Sequence, residues 1–397
     1  MKLNVKQPES LPLGEAAQEA REWLLDSAAP LWSTRGRTSS GLFAERMTLT
    51  GEPDASYFRL FVQARHIFSF VVIGKMGWIG PWRTLVAETI ETLLRNAKRD
   101  DGLFVHRLDA NAAPIDNRAD LYDQAFVLFA LGTAGGALGR DDLFDEAEAL
   151  LSVLEAEWKH PLGGFTEGEI VDARVRRQNP HMHLLEAFLS LSEASGRLRF
   201  TDAAHSIAEL ARTRFVDQQS GALLEYFTDD LKPAAGLEGQ IAEPGHCFEW
   251  AWLFERLAAA GWTEGVQMSD RLTNFARGCG IDRARGVAIN EVLTDGTTRD
   301  AKARLWPQTE RLKAAVARFR RTSSDTEAAE AVAAYRGLRQ YLDVPVSGLW
   351  RDKLKQDGAW VEELAPGSSL YHISCAYSEL VRLPFWSADR RVPAFAS

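Results

Sequence analysis

Cysteine is scarce in this sequence, with three residues among 397 and no CxxC pair. Three thiols cannot all pair within one chain, and the simplest interpretation is reduced cysteines in a cytoplasmic protein. Cys247 and Cys375 lie close in sequence to His246 and His372, which allows a zinc site as an alternative. Structural zinc ligands usually come in close pairs on one turn, so this spacing does not favour zinc.

Long hydrophobic runs are also absent. The most apolar stretch, Ile67 to Ile73, is far too short to cross a bilayer. Residues 1–6 contain no apolar core of the kind found in signal peptides. A formal net charge of -9 disfavours nucleic acid and anionic membranes as partners. We therefore expect a cytoplasmic monomer or homodimer with no nucleic-acid or membrane partner.

No convincing glycine-rich phosphate loop is present. Residues 132–136 (GTAGG) lack the lysine that follows such a loop, so no nucleotide is expected. Sequence spacing suggests no convincing group of metal ligands, and we predict neither a metal nor any other cofactor. Arg176 and Arg177 offer a contact for a phosphate or sulfonate, although arginines on loops are commonly solvated. The basic stretch from Arg311 to Arg321 is interpreted as the solvated face of a helix.

The sequence does contain a repeat. A glycine followed closely by a bulky apolar residue recurs at spacings of 57 to 65 residues. The six glycines are Gly41, Gly102, Gly164, Gly221, Gly286 and Gly348. A period of about sixty residues over the whole length predicts units that bury their apolar faces against their neighbours.

The segments between the glycines have the apolar spacing of helices, with room for two helices in each unit. Turn-forming residues follow most of the glycines and predict short β-hairpins, at 50–53, 229–230, 295–296 and 357–358. Six helix pairs that close on themselves form an all-α (α/α)6 barrel. We predict such a barrel as a single domain over residues 1–397, with the hairpins framing a pocket on one rim.

Polar residues at similar distances after the six glycines should gather on that rim. They are Arg65, Asp123, His183, His246, Trp306 and His372. The three histidines begin helical patterns, and imidazole suits proton transfer at neutral pH. A single buried histidine is more often structural, but three at corresponding positions favour a function.

Other residues near the same rim suit the binding of a polyol. Arg65 would stabilise an enediolate oxygen or orient hydroxyls, and an ion pair with an acidic neighbour such as Glu249 is the structural alternative. Tyr122, Trp306 and Glu310 add hydrogen-bonding groups and an aromatic face, which suit sugars. We expect these residues to contact substrate.

Several short motifs together resemble the N-acylglucosamine 2-epimerase superfamily, over residues 41–380. The motifs are Gln63-Ala64-Arg65, Asn179-x3-His183, Pro244-Gly245-His246-x2-Glu249-Trp250, Trp306-Pro307-Gln308-x-Glu310 and Tyr371-His372. The resemblance implies an (α/α)6 barrel that moves protons at C1 and C2 of an aldose without a metal. It also implies site roles, with His246 and His372 as the acid/base pair and Arg65, Asn179, His183, Glu249 and Trp306 as substrate-binding residues.

One position departs from the family pattern. Members that act on disaccharides or N-acyl sugars usually carry tryptophan five residues before the last histidine, where this chain has Gly367. The departure favours the monosaccharide isomerases, and D-mannose with D-fructose is the best expectation. A 2-epimerase for mannose or N-acylglucosamine, or an isomerase for a phosphorylated or sulfonated hexose, is the alternative.

Two other classes of protein remain open from the residues alone. Many (α/α)6 barrels are glycosidases with two carboxylates, and Asp123 with Glu249 or Glu310 would form such a pair. The three rim histidines weigh against that class. A non-catalytic sugar-binding protein would need no acid/base histidines.

Overall fold

The computed structural model describes residues 13–172 and 174–383, and its helices form a closed double ring. Six inner helices pack each against the next, and the last packs against the first. They are α3 (Leu60–Lys75), α5 (Leu121–Leu138), α7 (Gln178–Ser195), α9 (Pro244–Ala259), α11 (Leu305–Thr322) and α13 (Ser369–Val381). Most residues of each inner helix are buried, because these helices pack on several sides.

An outer ring surrounds the inner one. Five of its helices each follow an inner helix, namely α4 (Trp82–Asn96), α6 (Asp141–Glu157), α8 (Leu198–Leu210), α10 (Glu264–Cys279) and α12 (Asp325–Arg339). π-helical residues Ala211–Phe215 extend α8, and a 3-10 turn at Gln340–Leu342 extends α12. The sixth outer element comes from the start of the described chain and comprises α1 (Leu13–Glu22), a π-helical turn (Trp23–Ala28) and α2 (Ala29–Thr34). This architecture confirms the predicted (α/α)6 barrel.

The sixth pair joins the two ends of the described chain, since α1 packs against α13 and α12. The indole nitrogen of Trp32 donates to the carbonyl of Gly348 at 3.1 Å. The Trp32 ring also stacks on Trp350, with ring centroids 5.2 Å apart. Residues more than 300 positions apart therefore close the ring.

Short antiparallel strands connect neighbouring units on one rim. The strands are β1 (Arg46–Met47), β2 (Pro53–Asp54), β3 (Tyr57–Arg59), β4 (Arg107–Asp109), β5 (Pro114–Asp116), β6 (Val175–Arg177), β7 (Tyr226–Thr228), β8 (Ile241–Ala242), β9 (Ile281–Asp282), β10 (Val287–Ala288), β11 (Glu291–Leu293), β12 (Thr298–Asp300), β13 (Ala303–Arg304), β14 (Lys353–Leu354) and β15 (Ala365–Pro366). They pair in the orders β15-β1-β2, β3-β4-β5, β6-β7, β8-β11-β12, β9-β10 and β13-β14. The predicted hairpins are present, and the β1–β15 pair links the last unit to the first.

The repeat has a local structural cause. All six repeat glycines have positive φ angles, between 68° and 95°, a conformation that glycine adopts without strain. Two residues after Gly41, the backbone of Phe43 both donates to and accepts from the Gln63 amide, at 2.7 and 2.9 Å. Equivalent bonds join Gln124 to Phe104 and Gln308 to Ala288, and His181 accepts from the N–H of Phe165. The glycine turn of each of these four units is thus tied to the first turns of its inner helix.

An apolar helix and a basic stretch of the sequence both turn out to belong to the buried inner ring. The helix α5 is long and apolar enough to cross a membrane, yet 78% of its residues are buried inside the barrel, so its composition reflects core packing. The interpretation of Arg311 to Arg321 as a solvated face is wrong for its first half. Arg311 is 4% exposed and Lys313 is fully buried, because α11 is an inner helix.

Candidate active site

The inner helices begin at the hairpin rim, and their first turns surround a cavity of about 430 Å³. Most of the predicted site residues line it. These are Arg65, Tyr122, Asn179, His183, His246, Glu249, Trp306 and His372. Six helix N-termini also point towards this end of the barrel, and their dipoles favour negative charge in the cavity.

His246 lies on the first turn of α9, beside two carboxylates. Its Nδ1 atom is 3.0 Å from both oxygens of Glu225 and 3.9 Å from Glu243 Oε2. Burial lowers the pKa of His246, but these carboxylates outweigh burial and raise it to about 9. The ring is therefore protonated at neutral pH, and its Nε2 atom is left to act on a ligand.

His372 lies on α13 and has the opposite electrostatic environment. Its Nδ1 atom is 2.8 Å from Glu310 Oε1. Burial, together with the positive charges of Arg65 and Lys313, holds the pKa of His372 well below its usual range. The ring is neutral at neutral pH, and its Nε2 atom is available to accept a proton.

Trp306 packs beside both histidines. Its ring centroid is 4.8 Å from that of His246 and 5.8 Å from that of His372. The indole reaches this place because residue 245 is glycine, where a Cβ atom would lie 2.6 Å from the Trp306 ring. One indole thus contacts both an imidazolium and a neutral imidazole at the wall of the same cavity.

Arg65 reaches the cavity from α3 through a cage of aromatic rings. Its guanidinium carbon lies 4.4 Å from the ring centroid of Phe126 and 5.0 Å from that of Tyr371. A terminal nitrogen donates to the hydroxyl of Tyr122 at 2.6 Å, while the buried Nε atom has no hydrogen-bond partner in the described residues. Arg65 forms no ion pair with Glu249, so the guanidinium keeps donors for a ligand.

His183, Asn179 and Glu249 complete the polar wall. His183 Nδ1 is 3.5 Å from Glu186 Oε2, and the Tyr371 hydroxyl donates to the same carboxylate. Asn179 Oδ1 and Glu249 Oε1 are buried and lack a hydrogen-bond partner among the described residues. Buried polar atoms of this kind normally have partners, so both suit the hydroxyl groups of a bound polyol.

Two predicted residues do not line the cavity. Glu310 was expected to contact substrate, but it lies behind His372 and bonds to it. Asp123 was expected at the rim, but its carboxylate is buried against His106, with 2.6 Å between Asp123 Oδ2 and His106 Nδ1. Side chains one position apart on a helix point in different directions. The offset from the repeat glycine is therefore not precise enough to predict which of two neighbouring side chains faces the cavity.

Sequence reasoning missed several residues of the site. Glu225, which orients His246, lies four residues after its repeat glycine. Glu45 and His106 follow their glycines at the same distance, and each bonds close to the start of an inner helix. That shared offset was a signal in the sequence. Glu243, Arg304 and Asp352 also line the cavity.

The chain matches the model of the N-acylglucosamine 2-epimerase (GlcNAc 2-epimerase) family over residues 41–376. The chain belongs to this family. It is 40% identical over 374 residues to the mannose-6-phosphate isomerase of Rhizobium meliloti strain 1021, with 92% of this chain and 96% of the relative covered. It is 30% identical over 285 residues to a D-mannose isomerase of Pseudomonas cannabina pv. alisalensis, with 63% and 66% covered. This member of the N-acylglucosamine 2-epimerase family is a sugar isomerase or epimerase.

Solved structures agree on the family fold. A D-mannose isomerase superposes with a TM-score of 0.84 at 20% identity, covering 92% of this chain and 97% of the other. A sugar epimerase from a ruminal bacterium superposes with a TM-score of 0.83 at 18% identity, covering 92% and 98%. At these identities the likeness establishes the barrel alone.

Close backbone packing explains why position 367 is glycine in this member of the N-acylglucosamine 2-epimerase family. A Cβ atom there would lie 2.8 Å from the Ala44 carbonyl oxygen and 3.0 Å from His66 Nε2. The N–H of Gly367 donates to the carbonyl of Glu45 at 2.9 Å. The backbone is therefore too close to its neighbour for an indole at this position.

Three groups of buried side chains in this family member have the composition of metal ligands, contrary to the expectation from sequence spacing. They are His183 with Glu186 and Glu249, Glu225 with Glu243 and His246, and Glu249 with Glu310 and His372. None of these groups contains a cysteine, so no described group matches the zinc alternative. A protein cation already lies at the third group, because Lys313 Nζ is 2.5 Å from Glu310 and 3.8 Å from Glu249.

We expect the activity of this epimerase-family enzyme to survive exhaustive dialysis against a strong chelator. Lys313 and protonated His246 already neutralise carboxylates that a divalent cation would need. Turnover is measured before and after dialysis, with metal content determined on the same sample. Loss of turnover that a divalent cation restores would contradict the expectation.

Proposed function

We propose that this enzyme interconverts D-mannose and D-fructose through an enediolate, with His246 as the acid and His372 as the base. The observation that carries the proposal is the pair of cavity histidines beside Trp306, each with Nδ1 on a buried glutamate. Their pKa values are shifted in opposite directions, which is how one site provides an acid and a base at the same pH.

The chemistry begins with an open-chain aldose. The hydrogen on C2 is weakly acidic and needs an adjacent carbonyl, so the ring must open first. His246 Nε2–H is assigned to protonate the ring oxygen as the C1–O5 bond breaks, and the proton lost by the O1 hydroxyl, which becomes the carbonyl, returns to His246. His372 Nε2 then takes the C2 proton, and the electron pair moves onto O1. Returning that proton to C1, while the O2 proton moves to O1, gives the ketose. Returning it to the opposite face of C2 gives the epimer.

Arg65 and His183 are assigned to the developing negative charge. Arg65 has donors left after its bond to Tyr122, and the six helix N-termini add positive potential. Asn179 and Glu249 are assigned to substrate hydroxyls, since each has a buried oxygen without a hydrogen-bond partner among the described residues. Tyr122 holds Arg65 in place, and Trp306 offers an apolar face to the sugar.

A neutral hexose is the proposed substrate, because the other cations of the cavity wall are already paired. Arg59 is paired with Glu45, Arg304 with Glu243 at 3.1 Å, and Lys353 with Glu363 at 2.8 Å. Arg176 and Arg177, which suggested a phosphate contact, are on strand β6 and outside the cavity wall, and Arg177 is paired with Glu167 at 2.8 Å.

A phosphorylated hexose is the second candidate substrate. It is favoured by the name of the 40% identical relative, a mannose-6-phosphate isomerase. The glycosidase alternative has no comparable support. Asp123 is bonded to His106 and lies outside the cavity wall, so it does not face Glu249 across a bound sugar.

We predict that kcat/KM is higher for D-mannose than for mannose 6-phosphate, N-acetylmannosamine or cellobiose. The paired cations disfavour a phosphate, and the missing indole at position 367 removes a stacking surface worth about 0.5 to 1.5 kcal/mol to a larger substrate. Steady-state kinetics on the four sugars decide this. A clear preference for mannose 6-phosphate would select the second candidate, and a preference for either larger sugar would reject the isomerase assignment.

Proton NMR of the products formed from D-mannose in deuterated water tests the reaction itself. Fructose carrying deuterium at C1 supports isomerisation, and glucose carrying deuterium at C2 would assign the enzyme to the 2-epimerases instead. Unchanged mannose would reject both. The same spectra show whether the transferred proton exchanges with solvent.

We also propose the cellular location, the oligomeric state and the domain organisation of the enzyme. The three cysteines are free thiols, which supports work in the cytoplasm as a monomer or homodimer, with a small sugar as the only partner needed. Residues 1–397 are proposed to form one domain. Light scattering of the purified protein gives the oligomeric state.

A further inference from the structure

A fully buried lysine lies behind the proposed base. Lys313 is on α11, one turn after Glu310, and its side chain has no exposed surface. Its Nζ atom is 2.5 Å from Glu310 Oε2, while the other oxygen of Glu310 is 2.8 Å from His372 Nδ1. Lys313 is absent from the cavity wall, so it cannot act by touching the sugar.

The surroundings of Lys313 favour its charged form. Nζ is 3.8 Å from Glu249 Oε1 and 3.9 Å from the ring centroid of Trp252. Burial opposes the charge, but Cys375 and the carboxylates of Glu310, Glu249 and Glu186 outweigh burial and raise the pKa of Lys313. A buried ammonium is costly unless it is paired, and here one lysine serves a cluster of buried carboxylates.

We propose that Lys313 is a positioning residue that keeps Glu310 ionised on His372 Nδ1, so that His372 presents an unprotonated Nε2 atom to the substrate. The proposal rests on the proposed role of His372 as the base. It assigns to Lys313 a function that neither its exposure nor its distance from the sugar would suggest. Lys313 acts through Glu310, and Glu310 acts through the imidazole.

The charged and titratable groups around His372 come from four helices. Glu310 and Lys313 are on α11, Arg65 on α3, His183 on α7, and His246 and Glu249 on α9. Burial and Glu249 raise the pKa of Glu310, and the Lys313 ammonium 2.5 Å away opposes that rise. Removing the lysine charge therefore raises the pKa of Glu310 further, and a protonated Glu310 would donate to His372 Nδ1 and leave the ring proton on Nε2. An imidazole in that form cannot accept a proton at Nε2, so the acid limb of the rate profile moves to higher pH.

The test compares Lys313→Met and Lys313→Gln with the parent, and uses Arg321→Met as a matched control. Arg321 is on the same helix and pairs with the buried Glu255 at 2.9 Å, far along the chain from Glu310. If Lys313→Met does not fold, Lys313→Gln keeps a polar side chain beside Glu310 and still removes the charge. Thermal unfolding of each variant measures the structural cost separately.

Two measurements are made on each variant. The first is the pH profile of kcat and KM, where we expect kcat at pH 7 to fall by about ten- to a hundredfold, with KM within a few-fold. The second is a nitrogen-15 NMR measurement of the His372 tautomer without substrate, assigned by comparison with His372→Gln. We expect the ring proton on Nδ1 in the parent and in Arg321→Met, and on Nε2 in both lysine variants.

The substrate-free measurement separates this proposal from the proposed function. A ring proton on Nε2 in the lysine variants supports the positioning role even if mannose is not the substrate. Lysine variants that lose stability as Arg321→Met does, with the His372 proton still on Nδ1 and kcat within twofold of the parent, would overturn it and leave Lys313 a structural residue.

Discussion

Replacing His372 with alanine is expected to lower kcat by about a hundred- to ten-thousand-fold in a protein that stays folded. Loss of a general base has that typical cost, and no other neutral imidazole lies beside Trp306 in the described cavity wall. The kcat of His246→Ala should decrease by a similar factor, because this change removes the imidazolium proposed as the acid. Steady-state rates with the substrate identified by NMR provide the measurement, and circular dichroism confirms folding.

His181→Gln is the matched control for the histidine variants. His181 is as buried as His372, but it accepts from the N–H of Phe165 and lies outside the cavity wall. Glutamine already makes the corresponding bond at positions 63, 124 and 308. We expect full activity from this control. Turnover of His246→Ala or His372→Ala within a few-fold of the parent would remove the acid/base assignment.

Arg65→Lys is expected to lower kcat by about ten- to a hundredfold although the charge is kept. Lysine lacks the planar fork that bonds Tyr122 while presenting further donors to an oxygen, and the loss of one such donor in a transition state is costly. The effect should appear in kcat more than in KM, because the charge on the enediolate develops only after binding. Kinetics on the parent and the variant at one pH are sufficient.

Arg37→Lys is a suitable comparison for that variant. Arg37 also lies over an aromatic ring, 4.6 Å from the centroid of Phe43, and bonds to Thr89 at 2.7 Å. It is outside the cavity wall, so the change should leave turnover intact. Unaltered kinetics in a folded Arg65→Lys protein would make Arg65 a structural residue like Arg37.

The fold was predictable because its repeat has a backbone cause that the sequence displays. A positive φ angle selects glycine, so the six turns are visible as six glycines even where their neighbours differ. The sixth helix pair, which closes the ring, was harder to predict from the sequence. Residues 13–34 precede the first repeat glycine, and only tertiary packing places them beside α13.

Most of the cavity wall was predictable for a similar reason, since the inner helices start at equivalent positions. The positions of the charged side chains behind the cavity wall were not predictable. Lys313 belongs to a basic stretch that is typical of a solvated face, and the sequence does not show that α11 is enclosed on all sides. Glu310 was assigned to the sugar, although its distance to His372 Nδ1 places it one layer further back. The sequence alone does not distinguish a residue that contacts the substrate from one that supports a contacting residue.

The way the ring closes makes the site depend on the packing of the first and last helices. The proposed base is on α13, the helix that meets both α3 and α1 where the barrel is completed. Contacts between segments this far apart in the chain require the intervening residues to be ordered. His372 therefore reaches its place beside Trp306 only in the closed ring, so the integrity of the site and that of the whole barrel are the same property.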